Sequence, residues 1–186
     1  EIINLIDVTL IGSHNHANLL AAMALADACG VGKEAMIEVA KSFVGLSHRC
    51  ELIAVKQGVS YINDSKATNV GATVAALEGL NSHLGDLYLI AGGDGKGSDF
   101  RPLTEPLSNI TQLITLGRDG RKIAKLKAGT IEVATMAEAV AKAAELASSG
   151  DIVLLSPACA SLDMYKNFMA RGDDFRQCVE SLADGE

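Results

Sequence analysis

The sequence predicts an α/β fold: a doubly wound, mostly parallel sheet with helices on both faces, preceded by a short helical piece. Three observations predict it. Beyond Phe43, short apolar runs alternate with helix-periodic stretches, the order expected of β-α-β units. The composition is 48% hydrophobic with 4% aromatics and no tryptophan, so the core is aliphatic, as in buried parallel strands covered by helices. Polar or glycine-rich segments directly follow four of the apolar runs, where ligands gather in such sheets.

In chain order, Ser13-His14-Asn15-His16 precedes a stretch with apolar residues at Leu19, Ala22, Met23 and Ala26, a helix opened by capping residues and closed at Gly30. KEAMIEVAKSF follows the Gly-Val-Gly turn as a second helix. The runs ELIAV, VSYIN, DLYLIAGG, ITQLITLG, TIEVA and DIVLLSP are the expected strands. Between them, Val70 to Leu80, Arg118 to Leu126 and Met136 to Ala147 are the clearest helices; Thr135 and Glu138 form a capping box for the third, which Gly150 stops. Ser156-Pro157-Ala158-Cys159-Ala160-Ser161 leads into a last helix. The domain boundary falls between residues 1–45, helical, and 46–186, a complete α/β domain. Two short helices cannot bury both their faces alone. With Glu1 opening the chain in place of an initiator methionine, the sequence reads as the carboxyl part of a longer protein.

A formal charge of -7 argues against nucleic-acid binding, which needs a basic face to displace counterions from phosphates. No apolar stretch approaches the roughly 20 residues that cross a bilayer, and the start lacks a basic region and a cleavage site, so no membrane partner is expected. Cys29, Cys50, Cys159 and Cys178 are scattered and read as reduced core thiols of a cytoplasmic protein, with no metal site.

Four strand ends carry the chemistry. After VSYI come Asn63-Asp64-Ser65-Lys66-Ala67-Thr68-Asn69; Thr68 or Asn69 can cap the next helix, which leaves Asp64 and Lys66 to be explained. After LYLIA comes Gly92-Gly93-Asp94-Gly95-Lys96-Gly97, which fits neither a Walker loop nor a dinucleotide fingerprint. It suits a carboxylate or polar substrate; Lys96 taken alone reads as a solvated loop lysine, and set among glycines it reads as a ligand contact. Arg118-Asp119 after ITLG reads as a helix start with a local ion pair. Ser161 after IVLLSPACA, with the amides of the helix expected there, can bind an anion. Upstream, Asn15 and Asn18 share a helix face and can bond a nucleotide edge or backbone. His14, His16 and His83 read as structural or exposed. Arg49 beside Glu51 suits a strand-edge ion pair, or a base or phosphate at a domain junction.

In order, GSHNHANLLAA, HRCE, NDSKATN, GGDGKGSDF and LLSPACASLDMYKNFMARGDDF resemble the ATP-dependent Mur ligases of peptidoglycan synthesis, over nearly the whole chain. NDSKATN, with no Asp-Asn-Pro-Arg signature, suits the branch that adds D-glutamate. The resemblance implies a Rossmann-like amino-acid-binding domain after the end of a central ATPase domain. It implies ATP with magnesium, held mainly by that central domain, and D-glutamate and UDP-N-acetylmuramoyl-L-alanine as the other partners. Thr68 and Lys96 match positions for the α-carboxylate of D-glutamate, and Ser161, Leu162 and Phe168 those around its side-chain carboxylate. Asn15, Asn18, Arg49, Asp64 and Lys66 match positions lining the ATP cleft. No Walker loop is present, so the resemblance implies no catalysis by this piece alone. Other readings are another Mur-type or folylpolyglutamate-type ligase domain, or a non-catalytic domain binding a dicarboxylate or nucleotide.

Overall fold

The computed structural model describes residues 3–4, 7–10, 12–81 and 83–183, without the side chain of His14. The expectations placed on Glu1 and on the His14 side chain lie outside them. Strands β1 (Glu51–Lys56) and β2 (Val59–Asn63) form an antiparallel hairpin. Gln57 and Gly58 between them both have positive φ, as a two-residue primed turn requires. Strands β3 (Leu87–Gly92), β4 (Gln112–Leu116), β5 (Ile131–Glu132) and β6 (Ile152–Leu155) complete a six-stranded sheet of order β1-β2-β6-β3-β4-β5. All neighbours except β1 and β2 run parallel. The last strand in sequence thus lies between β2 and β3, buried along its whole length.

Helices cover both faces, as expected. Because strand side chains alternate, Ile62, Leu89, Leu113 and Leu154 pack with α3 (Val70–Leu80), α4 (Thr104–Ser108) and Ile123 of α5 (Gly120–Ala124). Tyr61, Ile90, Ile114 and Val153 face α6 (Met136–Leu146) and α7 (Phe168–Glu180) through Met136, Val140, Phe175 and Val179. Upstream, α1 (Ser13–Ala28) lies against α2 (Lys33–Ser42) and α3.

Several expectations are corrected. Ser13 to His16 lie inside the first turn of α1, and Gly12 is its N-cap; at φ 92 it turns the chain so that its carbonyl accepts the Asn15 and His16 N–H groups (3.0 and 3.3 Å). α5 is shorter than Arg118 to Leu126, and α6 ends before Gly150, whose N–H bonds the Gly58 carbonyl (2.9 Å). The Thr135–Glu138 capping box forms, with Glu138 Oε2 reaching the Ala134 N–H (2.8 Å). No helix starts directly at Ser161. Its carbonyl accepts the Met164 and Tyr165 N–H groups (3.0 and 2.7 Å), and the chain turns until Asn167, whose side chain caps α7 (2.8 Å). Tertiary bonds hold that segment: Asp94 and Ala160 bridge their backbones, and Asp163 accepts the Arg118 N–H (2.8 Å). Among the described residues no helix is long and apolar enough to cross a membrane. Cys29 is exposed, not a core thiol, while Cys50 and Cys159 are buried.

Candidate functional site

The parallel strands β2, β6, β3 and β4 deliver their carboxyl ends to one edge of the sheet, so their loops meet there. In the β2 loop Asn69 is the cap of α3, accepting the Ala72 N–H (3.0 Å), which frees Thr68, half-buried, from that duty. The Lys66 ammonium sits 4.3 Å from the centre of the Phe168 ring, a cation–π contact, and His48 meets the same ring edge-on at 5.9 Å.

Lys96 is exposed in the β3 loop at φ 52, a left-handed conformation that a non-glycine residue holds at a cost. Three bonds fix it. Asp94 Oδ1 accepts the Lys96 N–H (2.9 Å), Asp119 Oδ2 accepts the Gly95 N–H (2.8 Å), and Arg118 pairs with Asp94 Oδ2 (2.9 Å). The ammonium itself has no ion-pair partner among the described residues. The expected local pair is corrected here: Arg118 reaches Asp94, while Asp119 pairs with Lys122 (2.7 Å). The bond from Lys122, then that from Gly95, holds the Asp119 carboxyl below the usual carboxylate range. The cross-loop bonds of these two carboxylates, Arg118 to Asp94 and the Gly95 N–H to Asp119, are not legible in the sequence because each joins two different strand-end loops.

Ser161 is buried in the β6 loop, Leu162 is exposed, and Phe168 opens α7 with its carbonyl accepting the Ser65 hydroxyl (2.7 Å). Ser161 therefore stands in a turn, not at the helix start expected there.

The five nucleotide candidates divide. Asn15, Asn18 and Arg49 line one cavity of about 440 Å³, walled by Leu19, Ala22, Phe43 and Leu46. Asn15 and Arg49 also line an adjoining cavity of about 410 Å³. Apolar walls with two amides and a guanidinium suit the faces and edge of a planar base. Glu51 pairs with Arg176 (2.6 Å) in place of the strand-edge partner expected in Arg49. Asp64 and Lys66 are not on these walls. Asp64 is buried, with Oδ1 accepting the Cys50 N–H (3.3 Å) and Oδ2 the Ser156 hydroxyl (2.9 Å). Burial pushes its carboxyl up to about 6 against the lowering effect of those bonds. Among the described residues no cluster of three or more metal-ligating side chains occurs.

A sequence profile described as "Mur ligase, glutamate ligase domain" matches residues 48–159, which span three of the four strand-end loops and the fourth up to Cys159. The chain belongs to the Mur ligase family. It is 73% identical over 186 residues to the UDP-N-acetylmuramoylalanine--D-glutamate ligase of Shewanella oneidensis, covering 100% of this chain and 42% of that protein. It is 54% identical over 177 residues to the protein of that name from Pseudomonas aeruginosa, covering 92% of this chain and 40% of the relative. The chain thus spans about two-fifths of the length of the curated relatives it matches. The UDP-N-acetylmuramate-alanine ligase of Thermotoga maritima superposes with a TM-score of 0.68 at 17% identity, over 94% of this chain and 39% of that one. The folylpolyglutamate synthase of the same organism gives 0.62 at 17% identity, over 96% and 41%. At such identities these matches speak for the doubly wound fold alone.

Proposed function

We propose that this chain is the carboxyl-terminal, D-glutamate-binding part of an ATP-dependent ligase that joins D-glutamate to UDP-N-acetylmuramoyl-L-alanine in peptidoglycan synthesis. Residues 1–45 end its central ATPase domain and residues 46–186 form the amino-acid domain. The observation that carries this reading is the presentation of Lys96: a cation without an ion-pair partner among the described residues, held in a costly backbone conformation by three bonds, at the carboxyl end of a parallel strand. Identity of 73% to a protein named as a D-glutamate ligase supports the choice of amino acid.

Thr68 and Lys96 hold the α-carboxylate, and Ser161, Leu162 and Phe168 surround the side-chain carboxylate. Together they aim the amine at the acyl carbon, so the contribution of this part is orientation. Asn15, Asn18 and Arg49 take the nucleotide edge, and Asp64 and Lys66 support the β2 loop behind them. ATP, with magnesium in the central domain, supplies the phosphoryl group that activates the acceptor carboxylate as an acyl phosphate. This part alone is inactive, works in the cytoplasm and uses no nucleic acid or membrane.

In the full-length protein, Lys96→Ala is expected to raise the D-glutamate KM at least about tenfold while leaving the ATP KM unchanged, read from steady-state phosphate release. An unchanged D-glutamate KM returns Lys96 to an ordinary solvated loop.

A further inference from the structure

Arg171 lies in the last of the motifs quoted above without a role assigned to it, and it joins three of the segments that carry the candidate site. Its guanidinium is buried, with the residue 3% exposed. Nε donates to Ser65 Oγ (3.0 Å), Nη2 to the Ser65 carbonyl (2.9 Å) and Nη1 to the Cys159 carbonyl (3.0 Å). Ser65 Oγ in turn donates to the Phe168 carbonyl (2.7 Å). Ser65 leads to Thr68, Cys159 leads to Ser161, and Phe168 opens the helix on which Arg171 stands. The loop of Lys96 abuts the same group, since a Cβ on Gly93 would lie 3.3 Å from Nη1.

Packing alone does not account for an arginine here. Each of its nitrogens bonds a neutral oxygen, and no carboxylate pairs with it among the described residues. Desolvation is uncompensated enough to push the guanidinium down to about 10. An apolar side chain would fill the same space without burying a charge. What an apolar side chain cannot do is bond two loops at once through a rigid planar fork, and a lysine cannot do it in fixed directions.

We infer that Arg171 is a positioning residue: its buried guanidinium locks the β2 loop, the β6 loop and the start of α7 into one frame, setting the spacing between the groups that meet the two carboxylates of the amino-acid substrate. This rests on the D-glutamate reading above. A frame of altered spacing no longer meets both carboxylates at once, so the loss is expected in amino-acid binding, which the D-glutamate KM reads.

The experiment compares Arg171→Lys, Ser65→Ala and Lys96→Ala in the full-length protein by steady-state kinetics, with thermal unfolding of each variant. Arg171→Lys keeps the charge and loses the fork; Ser65→Ala removes the hydroxyl between Arg171 and Phe168 and serves as the deciding variant if Arg171→Lys does not fold. The expected result is a D-glutamate KM raised about tenfold by Arg171→Lys and about threefold by Ser65→Ala, with the ATP KM within about twofold of the parent. Loss of kcat with both KM values kept, or an equal rise in both, marks a merely structural role and overturns the inference. Unchanged D-glutamate KM in Arg171→Lys and Ser65→Ala, with a rise in Lys96→Ala, also overturns it and leaves the D-glutamate reading standing. No change in any of the three sinks the reading itself.

Discussion

Desolvation acts on Asp64 more strongly than its hydrogen bonds from Ser156 and Cys50 offset, so the carboxyl keeps its proton up to about pH 6 in the folded chain. Asp119, bonded by Lys122 and by the Gly95 N–H, is shifted the other way and stays ionised. The unfolded chain ionises Asp64 near 3.8. Between those two values the folded state holds more protons than the unfolded one. Stability therefore falls as pH rises through that window and is level above it, by roughly 3 kcal/mol in order of magnitude. Asp64→Asn removes this effect without stranding its neighbours. The amide oxygen can accept the Cys50 N–H, its NH₂ can donate to Ser156 Oγ, and the Ser156 proton can turn to Thr73 Oγ1 at 3.1 Å. The variant is expected to exceed the parent in stability by about 1–3 kcal/mol near pH 7, with the gap closing below about pH 4. Urea unfolding near pH 4, 5.5 and 7 measures it. A variant less stable than the parent near pH 7 would mean that the folded chain favours the ionised carboxylate.

At the scale of elements, α7 reaches the sheet at Gly172, whose carbonyl accepts the buried Asn63 side chain (3.1 Å). An added Cβ would press on His48 Nδ1 and lie 3.0 Å from Asn63 Nδ2. Helix propensity favours alanine over glycine by about 1 kcal/mol, whereas overpacking costs about 1–3 kcal/mol. The neighbours cannot yield here, because His48 is buried at φ 65 and accepts a bond from Asn63 (3.1 Å). Gly172→Ala should therefore lower stability by about 1–2 kcal/mol, seen as an earlier denaturant midpoint; a later midpoint would show that α7 is free to shift. All six strands and the helices α2, α3 and α6 are legible in the sequence, because apolar runs, breakers and caps are local signals. The insertion of β6 between β2 and β3 is not local, and nothing in the run IVLL announces it. The turn after Ser161 is missed for the same reason: small and polar residues there look like a helix start, and bonds to Asp94 and Arg118, far away in sequence, help hold it as a turn. α4, five residues long with Pro106 inside it, gives no periodic signal. The strand-end loops that carry Thr68 and Lys96 were legible because they follow apolar runs. Arg171 was not, because its bonding partners are Ser65 and Cys159.

Across the whole molecule, burial is divided unevenly along the chain. Strands β3 and β6 are almost wholly buried, whereas α1 contributes only Met23 and α2 only Ala40 to the buried apolar set. Leu20, Leu25, Val39, Phe43, Val44 and Leu46 are exposed in and after those two helices. Among the described residues the links that close this piece on itself include the Lys41–Asp7 ion pair (3.2 Å), about half exposed on both sides, and the Thr9 hydroxyl bond to the Phe43 carbonyl (2.7 Å). An exposed ion pair adds about 0–1 kcal/mol, less than burial of one large apolar side chain. Opening α1 and α2 thus exposes little new apolar surface, while opening β3 or β6 exposes the centre of both cores. Regions with few buried contacts open at free energies below that of global unfolding. Native-state hydrogen exchange on this chain should accordingly show the amides of α1 and α2 exchanging through a low-energy opening, insensitive to small additions of denaturant. Those of β3 and β6 should exchange only through global unfolding, with the full denaturant dependence. Equal protection in α1 and β6 would mean that the helical piece and the sheet unfold as one cooperative unit, and would overturn the division of the chain at residue 45.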